Sequence, residues 1–338
     1  MQKRVSIKDI ALATKVSTAT VSLVLTGKDK NGRVSHEVAE KIRCIAQEMN
    51  YQPNHLAVSL QSGISQTIGL LVTDISNPFF SSLAFHIQEE MEKAGYAVII
   101  MNTDEKEQQM SRMITILKNR QVDGFIIVPT EKGENTIKQL VNSKTPLVLI
   151  DRYYPDIPTY NVSIDNYDAA YAAATYLQEI GCRKIGVIVY DNYLPHMEQR
   201  KQGAIDALQK SGILDESLIQ FVHYGSLEED IRTVIQSFTS QLEAIDGILF
   251  TSNTIALSGM KQLVRQGIKI GKDIHIVCFD KSDIYDFMST FIPYVNQPIK
   301  EMGNFAAQLL LEQIKGETIP QKSHKFPATL IRNSNHPE

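Results

Sequence analysis

The chain has 338 residues, enough for two or three domains with cores of their own, and its 43% hydrophobic and 21% charged residues describe an ordinary soluble globular protein. Its three cysteines, Cys44, Cys182 and Cys278, are too far apart for a disulfide framework or a zinc motif. No run reaches membrane-spanning length and the start, MQKRVSIKDI, lacks a secretory apolar stretch, so a reducing cytoplasm is the expected setting.

The net charge of −4 is unevenly divided. Residues 1–62 carry nine Lys/Arg against five Asp/Glu, and the remainder carries 25 against 33. A basic head on an acidic body suggests a polyanion-binding module, although a solvated basic surface gives the same count.

Residues 1–50 read as three short helices. Ser6 caps IKDIALAT, and Ser35 caps HEVAEKIRCIAQEMN. Between them VSTATVSLVLT, residues 16–26, is small and β-branched, a strand by propensity alone. Helical phasing separates its polarity better. At about 100° per residue, Thr18, Ala19, Ser22, Leu23 and Thr26 share one face, and Val21, Val24 and Leu25 share the other. Ser17 stands at the N-cap and Gly27 at the stop. A short helix, the turn TKVS and a capped helix with a small polar face form a helix-turn-helix pattern. An ordinary three-helix bundle satisfies it equally.

YQPN closes this unit at Pro53, and NHLAVSLQSG follows, with Asn54 as N-cap, Gly63 as stop and Leu56, Ala57 and Leu60 on one side. At about eight residues such a helix is too short to persist alone. From residue 67 onward short apolar runs recur at TIGLLVT, YAVIIMN, DGFIIVP, TPLVLID, RKIGVIVY, DGILFTS and IHIVCFD. Helix-like stretches lie between them, among them FFSSLAFHIQEEMEKAG and YDAAYAAATYLQEIG, each closed by Gly. This alternation implies doubly wound parallel sheets, and its length implies two, with a ligand crevice beyond the carboxyl ends of the strands. No Walker A, G-x-G-x-x-G, G-x-S-x-G or H-E-x-x-H motif appears, and the histidines lack metal-ligand spacing.

Several motifs in order resemble the LacI/GalR transcription repressors: VSIKDIALATKVSTATVSLVL their headpiece, NYQPNHLAVSLQSG their hinge, TDISNPFF the first crossover of the core, and CFD with VNQPIKEMG its C-terminal part. The resemblance runs nearly end to end. It implies an α/β architecture with an N-terminal all-α helix-turn-helix headpiece at 1–52 and a hinge helix and linker at 53–65. The effector-binding core at 66–338 has two periplasmic-binding-protein-like lobes, an N-lobe at about 66–163 and 296–327 and a C-lobe at about 164–295 and 328–338.

The resemblance places Thr18 and Ala19 against base edges and Thr20 and Ser22 against phosphates, with Ser6 and Ser17 in the same interface. Leu23 stands where many relatives carry a polar residue. It can meet a thymine methyl or pack under its own bundle. Lys28, Lys30 and Arg33, in a loop longer than usual for the family, can touch phosphates or solvate the loop. The hinges of a dimer, with Asn54, Ala57 and Leu60, fold on DNA, Leu60 wedging into the minor groove; an interdomain linker is the alternative.

In the core the resemblance assigns Arg200, Asp280 and Asn253 to grip ligand hydroxyls, although the usual Asn-Asp pair is here Asn253–Thr254. Phe79 and Phe80 offer a ring face or simply pack in the core; Asp151, Arg152 and Gln297 complete the set. The expected function is a non-enzymatic, homodimeric regulator, most simply a repressor, of double-stranded operator DNA. A small sugar-like effector controls it, with no cofactor, metal or membrane, and no heptad follows LIRNS to build a tetramer. A purine or nucleoside co-repressor is the alternative effector, and a solute-binding protein without a DNA role the alternative class.

Overall fold

The computed structural model describes residues 5–27, 29, 34–51, 63–240, 245–317 and 320–332. The chain forms two compact units, residues 1–65 and 66–338.

The first unit holds α1 (Ile7–Thr14), α2 (Thr18–Leu25) and α3 (His36–Glu48). Ser6 closes a capping box with Asp9, and Lys15 ends α1 in the left-handed region at φ 58°, producing the tight turn into α2. Ser17 caps α2 by accepting from the Thr20 amide, and Gly27, at φ +71°, lies just beyond its end. The stretch 18–25 is therefore helical despite its β-branched composition. Val21 and Val24 are buried with Ile10, Ala39 and Ile42, and this packing outweighs an intrinsic cost of a few tenths of a kcal/mol per residue. Asn54, Ala57 and Leu60, assigned to the hinge, lie outside the described residues, as do Lys28, Lys30 and Arg33.

In the second unit the elements run β1 (Thr67–Val72), α4 (Pro78–Lys93), β2 (Ala97–Asn102), α5 (Glu107–Asn119), β3 (Gly124–Ile127), α6 (Glu134–Asn142), β4 (Leu147–Ile150) and β5 (Tyr160–Ile164). Then follow α7 (Asn166–Glu179), β6 (Ile185–Tyr190), α8 (Pro195–Lys210), β7 (Ile219–Val222), α9 (Leu227–Ser240), β8 (Gly247–Phe250), α10 (Asn253–Arg265) and β9 (His275–Phe279). The last are β10 (Tyr294–Asn296), α11 (Ile299–Lys315), β11 (Ser323–Phe326) and β12 (Thr329–Ile331).

The described strands form two six-stranded sheets, β11-β5-β4-β3-β1-β2 and β12-β10-β9-β8-β6-β7, parallel except where β12 meets β10. The central strands are apolar on both faces, as expected when helices cover both sides of a sheet. The chain passes between the lobes after β5, after β10 and after β11. Gln297 lies one residue beyond β10, where the chain leaves the second sheet for α11. Helices α7 and α8 pack closely, and Gly203 is the reason: a Cβ there would lie 2.2 Å from the Tyr167 carbonyl oxygen. Among the described residues no helix is long and apolar enough to cross a membrane.

Candidate functional site

Between the lobes, at the carboxyl ends of the strands, is a cavity of about 380 Å³. Each lobe contributes an aspartate by the same device. Asp151 follows β4 and Asp280 follows β9, at φ 68° and 67°. Their amides donate to the next strand, at Val162 O (2.8 Å) and Val295 O (2.9 Å). Left-handed backbone is unfavourable for most residues but tolerated by Asp, so the strain sits where the carboxylates enter the crevice.

Arg200 is held rigidly behind them. Pro195 opens α8 at the end of β6, and Arg200, one turn inside, is 3% exposed. Its Nε donates to Asn166 Oδ1 at 2.8 Å and its Nη1 to Thr251 O at 2.7 Å; the guanidinium lies 4.2 Å from the Phe279 ring centroid. Burial lowers its pKa, opposed by the negative charges of Asp280 and Asp151, so it remains cationic at neutral pH. Asp280 Oδ1 accepts from Gln297 Nε2 at 2.7 Å, and the carboxylate also accepts from the Asn253 amide at the start of α10. Burial nonetheless pushes the Asp280 carboxyl up to about 6 against the pull of Arg200.

On the N-lobe side, Arg152 bridges to Glu105, Nη1 to Oε1 at 2.6 Å and to Oε2 at 2.9 Å, and its Nε stands 3.5 Å from Asp151 Oδ2. Burial works against the Arg152 charge, but Glu105 and Asp151 outweigh it and raise its pKa. Burial raises the Asp151 carboxyl, with Arg152 and Arg200 opposing. Phe79 and Phe80, capped by Asn77 at the start of α4, meet edge-to-face at 5.0 Å. Both belong to the buried core and both line the crevice, so packing and lining are not exclusive roles.

All eight core residues singled out from the sequence, Phe79, Phe80, Asp151, Arg152, Arg200, Asn253, Asp280 and Gln297, line this one cavity. Thr254, in place of the acid that the resemblance leads one to expect beside Asn253, accepts a 3.4 Å bond from Asn77 Nδ2 and so ties the two lobes together. Sequence reasoning missed Glu105, Tyr190, His196 and Tyr224 among the lining residues. His196 was legible in principle: it precedes Arg200 by four residues in a helix opened by Pro195, which puts both on one face. Burial and the neighbouring Arg152 and Arg200 drive its pKa well down, so the imidazole is neutral. Tyr190 and Tyr224 stand 6.3 Å apart on the C-lobe side, and Tyr224 is 44% exposed.

In the first unit, Thr18 and Ala19 are exposed and Thr20, Ser22 and Leu23 half-buried. Among the described residues the side chains packed on the three-helix core include Leu25 but not Leu23, which leaves Leu23 on the polar side of α2. Ser6 and Ser17 are exposed, and each hydroxyl is engaged in a cap: Ser6 Oγ donates to Asp9 Oδ2 at 2.7 Å, and Ser17 Oγ lies 2.9 Å from Thr20 Oγ1.

Comparison with known proteins agrees over nearly the whole chain. Residues 6–54 match the bacterial regulatory proteins of the lacI family, and residues 65–334 match the periplasmic binding proteins and sugar binding domain of LacI family. The transcriptional repressor CytR of Escherichia coli K12 is 30% identical over 327 residues, 96% of this chain and 94% of that protein. The ribose operon repressor of Halalkalibacterium halodurans is 32% identical over 327 residues, 96% and 95% of the two chains. A periplasmic binding protein/LacI transcriptional regulator from Alkaliphilus metalliredigens, solved with D-xylulofuranose, superposes with a TM-score of 0.68 at 26% identity, covering 79% of this chain and 97% of its own. A capped helix-turn-helix joined to a two-lobed sugar-binding core, matched in both parts and over nearly its full length, makes this chain a DNA-binding transcriptional regulator of the LacI family.

Proposed function

We propose that this regulator is a cytoplasmic, homodimeric, non-enzymatic repressor whose operator affinity is set by a small polyhydroxylated effector held between the lobes. The observation that carries this reading is the convergence of Asp151, Arg200, Asn253, Asp280 and Gln297, from strand ends and helix starts of the two lobes, on one cavity of about 380 Å³. Paired carboxylates and a fixed guanidinium grip vicinal hydroxyls through charge-assisted hydrogen bonds, and Phe79 and Phe80 supply an apolar wall. The relatives' names, a ribose operon repressor and a regulator complexed with a pentulose, support the sugar class. The Tyr190–Tyr224 pair favours a second reading in which the effector carries a flat ring, as a nucleoside does.

At the operator, Thr18 and Ala19 face base edges, Thr20 and Ser22 approach phosphates, and Leu23 meets a thymine methyl. Ser6 and Ser17 stand at helix N-termini where amide groups also receive phosphates. The test is a fluorescence-anisotropy titration of operator DNA with and without effector. Arg200→Ala should bind operator but lose the effector response, because an uncompensated loss of a buried partner costs ligand binding about 2–5 kcal/mol. A variant that responds at the wild-type effector concentration would remove the crevice from the mechanism.

A further inference from the structure

The crevice carries more negative than positive charge, and acceptors stand unpaired within it. Asn253 Oδ1 and Gln297 Oε1, on residues 2% and 4% exposed, have no hydrogen-bond partner among the described residues; nor have Arg152 Nε, which faces Asp151 at 3.5 Å, and His196 Nδ1 on a neutral ring. Beside them stand Asp151 and Asp280, acceptors only when ionised. The lining contains seven Asp or Glu and three Lys or Arg, and each of those cations already faces a carboxylate. Lys106 Nζ lies 2.7 Å from Asp104, and Arg152 is clamped by Glu105 with Asp151 beside its Nε. Arg200 spends its Nε and Nη1 on Asn166 and Thr251 and answers the charges of Asp280 and Asp151.

A phosphate group brings negative charge and no donor when ionised, so it offers Asn253 Oδ1 and Gln297 Oε1 nothing and meets the carboxylates with like charge, while the cations that could answer it already face carboxylates. From this geometry we infer that the crevice selects an uncharged or cationic, donor-rich ligand, a free sugar, polyol or nucleoside, and rejects its phosphate ester. The inference deepens the effector reading above and rests on it.

The test uses the full chain in isothermal titrations at pH 7.5 with matched probes: D-ribose and D-ribose 5-phosphate, D-glucose and D-glucose 6-phosphate, cytidine and adenosine and their 5′-monophosphates. Inorganic phosphate is added at constant ionic strength. The expected result is that the tightest probe is unphosphorylated and that its ester binds at least about 100-fold more weakly, equivalent to about 2.7 kcal/mol. Inorganic phosphate should not raise the melting temperature above that in chloride. Glu105→Gln, which frees Arg152, should narrow the ester penalty about tenfold or more, a gain that a misfolded variant cannot produce. An ester binding as tightly as its parent overturns the inference while leaving the effector crevice intact. So does a phosphate-dependent stabilisation that Arg152→Gln abolishes. If no probe of either kind binds a chain that still binds operator, the sugar or nucleoside reading of the crevice falls, and this inference with it.

Discussion

Asp280→Asn should make the unliganded protein more stable while destroying its ligand response. Burial moves the Asp280 carboxyl from 3.8 to about 6 in the folded state, a balance that already includes the opposing pull of Arg200 and Gln297. At about 1.4 kcal/mol per pH unit, holding this group ionised above pH 7 costs the fold about 3 kcal/mol. Asparagine keeps an oxygen for Gln297 Nε2, and it tolerates the left-handed backbone at φ 67°. The gain should therefore be about 2–3 kcal/mol at pH 7.5. The raised carboxyl pKa means that the folded state binds more protons than the unfolded state between 3.8 and about 6. Wild-type stability on this account is greatest below that window and falls as the pH rises through it; the variant lacks the fall. Urea unfolding at intervals from pH 7.5 to pH 4 should show the two proteins far apart at the top and converging at the bottom. A variant less stable than wild type at pH 7.5, or a difference independent of pH, would mean that the attraction of Arg200 outweighs burial and that the reasoning fails.

Leu23→Arg replaces a half-buried apolar side chain on the polar side of α2 with a bidentate donor. Selection from a randomised operator library should shift one symmetric position per half-site from T·A toward G·C, with discrimination of about 1–3 kcal/mol, and an unchanged preference would place Leu23 against its own bundle. Gly203→Ala puts a methyl 2.2 Å from the Tyr167 carbonyl oxygen, so α7 and α8 must part; chemical denaturation should register a loss of about 1–3 kcal/mol.

Most strands legible in the sequence were buried on both faces, although β2, read from YAVIIMN, is a half-exposed edge strand. GFII, LVLI and GILF are continuous apolar runs because helices cover both sides of their sheets. The ones that escaped are short and bear polar residues, such as SHKF of β11, half-exposed at a sheet edge where periodicity carries little information. The helical state of residues 18–25 could be read from phase and caps although propensity opposed it, because Ser17 and the Val21–Val24 stripe are local signals. The crevice was found where resemblance supplied a motif. Glu105 and Tyr224 have no local signature. They belong to the site only because the two lobes bring the ends of β2 and β7, in different sheets, to the same rim, a tertiary fact absent from either segment.

Three crossings join the lobes, and Gln297 sits on one of them, between β10 and α11, bonded to Asp280 at the end of the neighbouring strand β9. Mechanically this is a flexure with its pivot at the cavity floor. A ligand group held by Gln297 acts almost on the axis and exerts little torque, however tightly it binds. A group that reaches Tyr224 or Glu105 at the rim acts at the end of a lever arm, where a small displacement turns one lobe against the other. On this geometry affinity and switching should be separable along one ligand: groups facing Gln297 should set how long it stays, and groups facing Tyr224 and Glu105 how far the lobes turn.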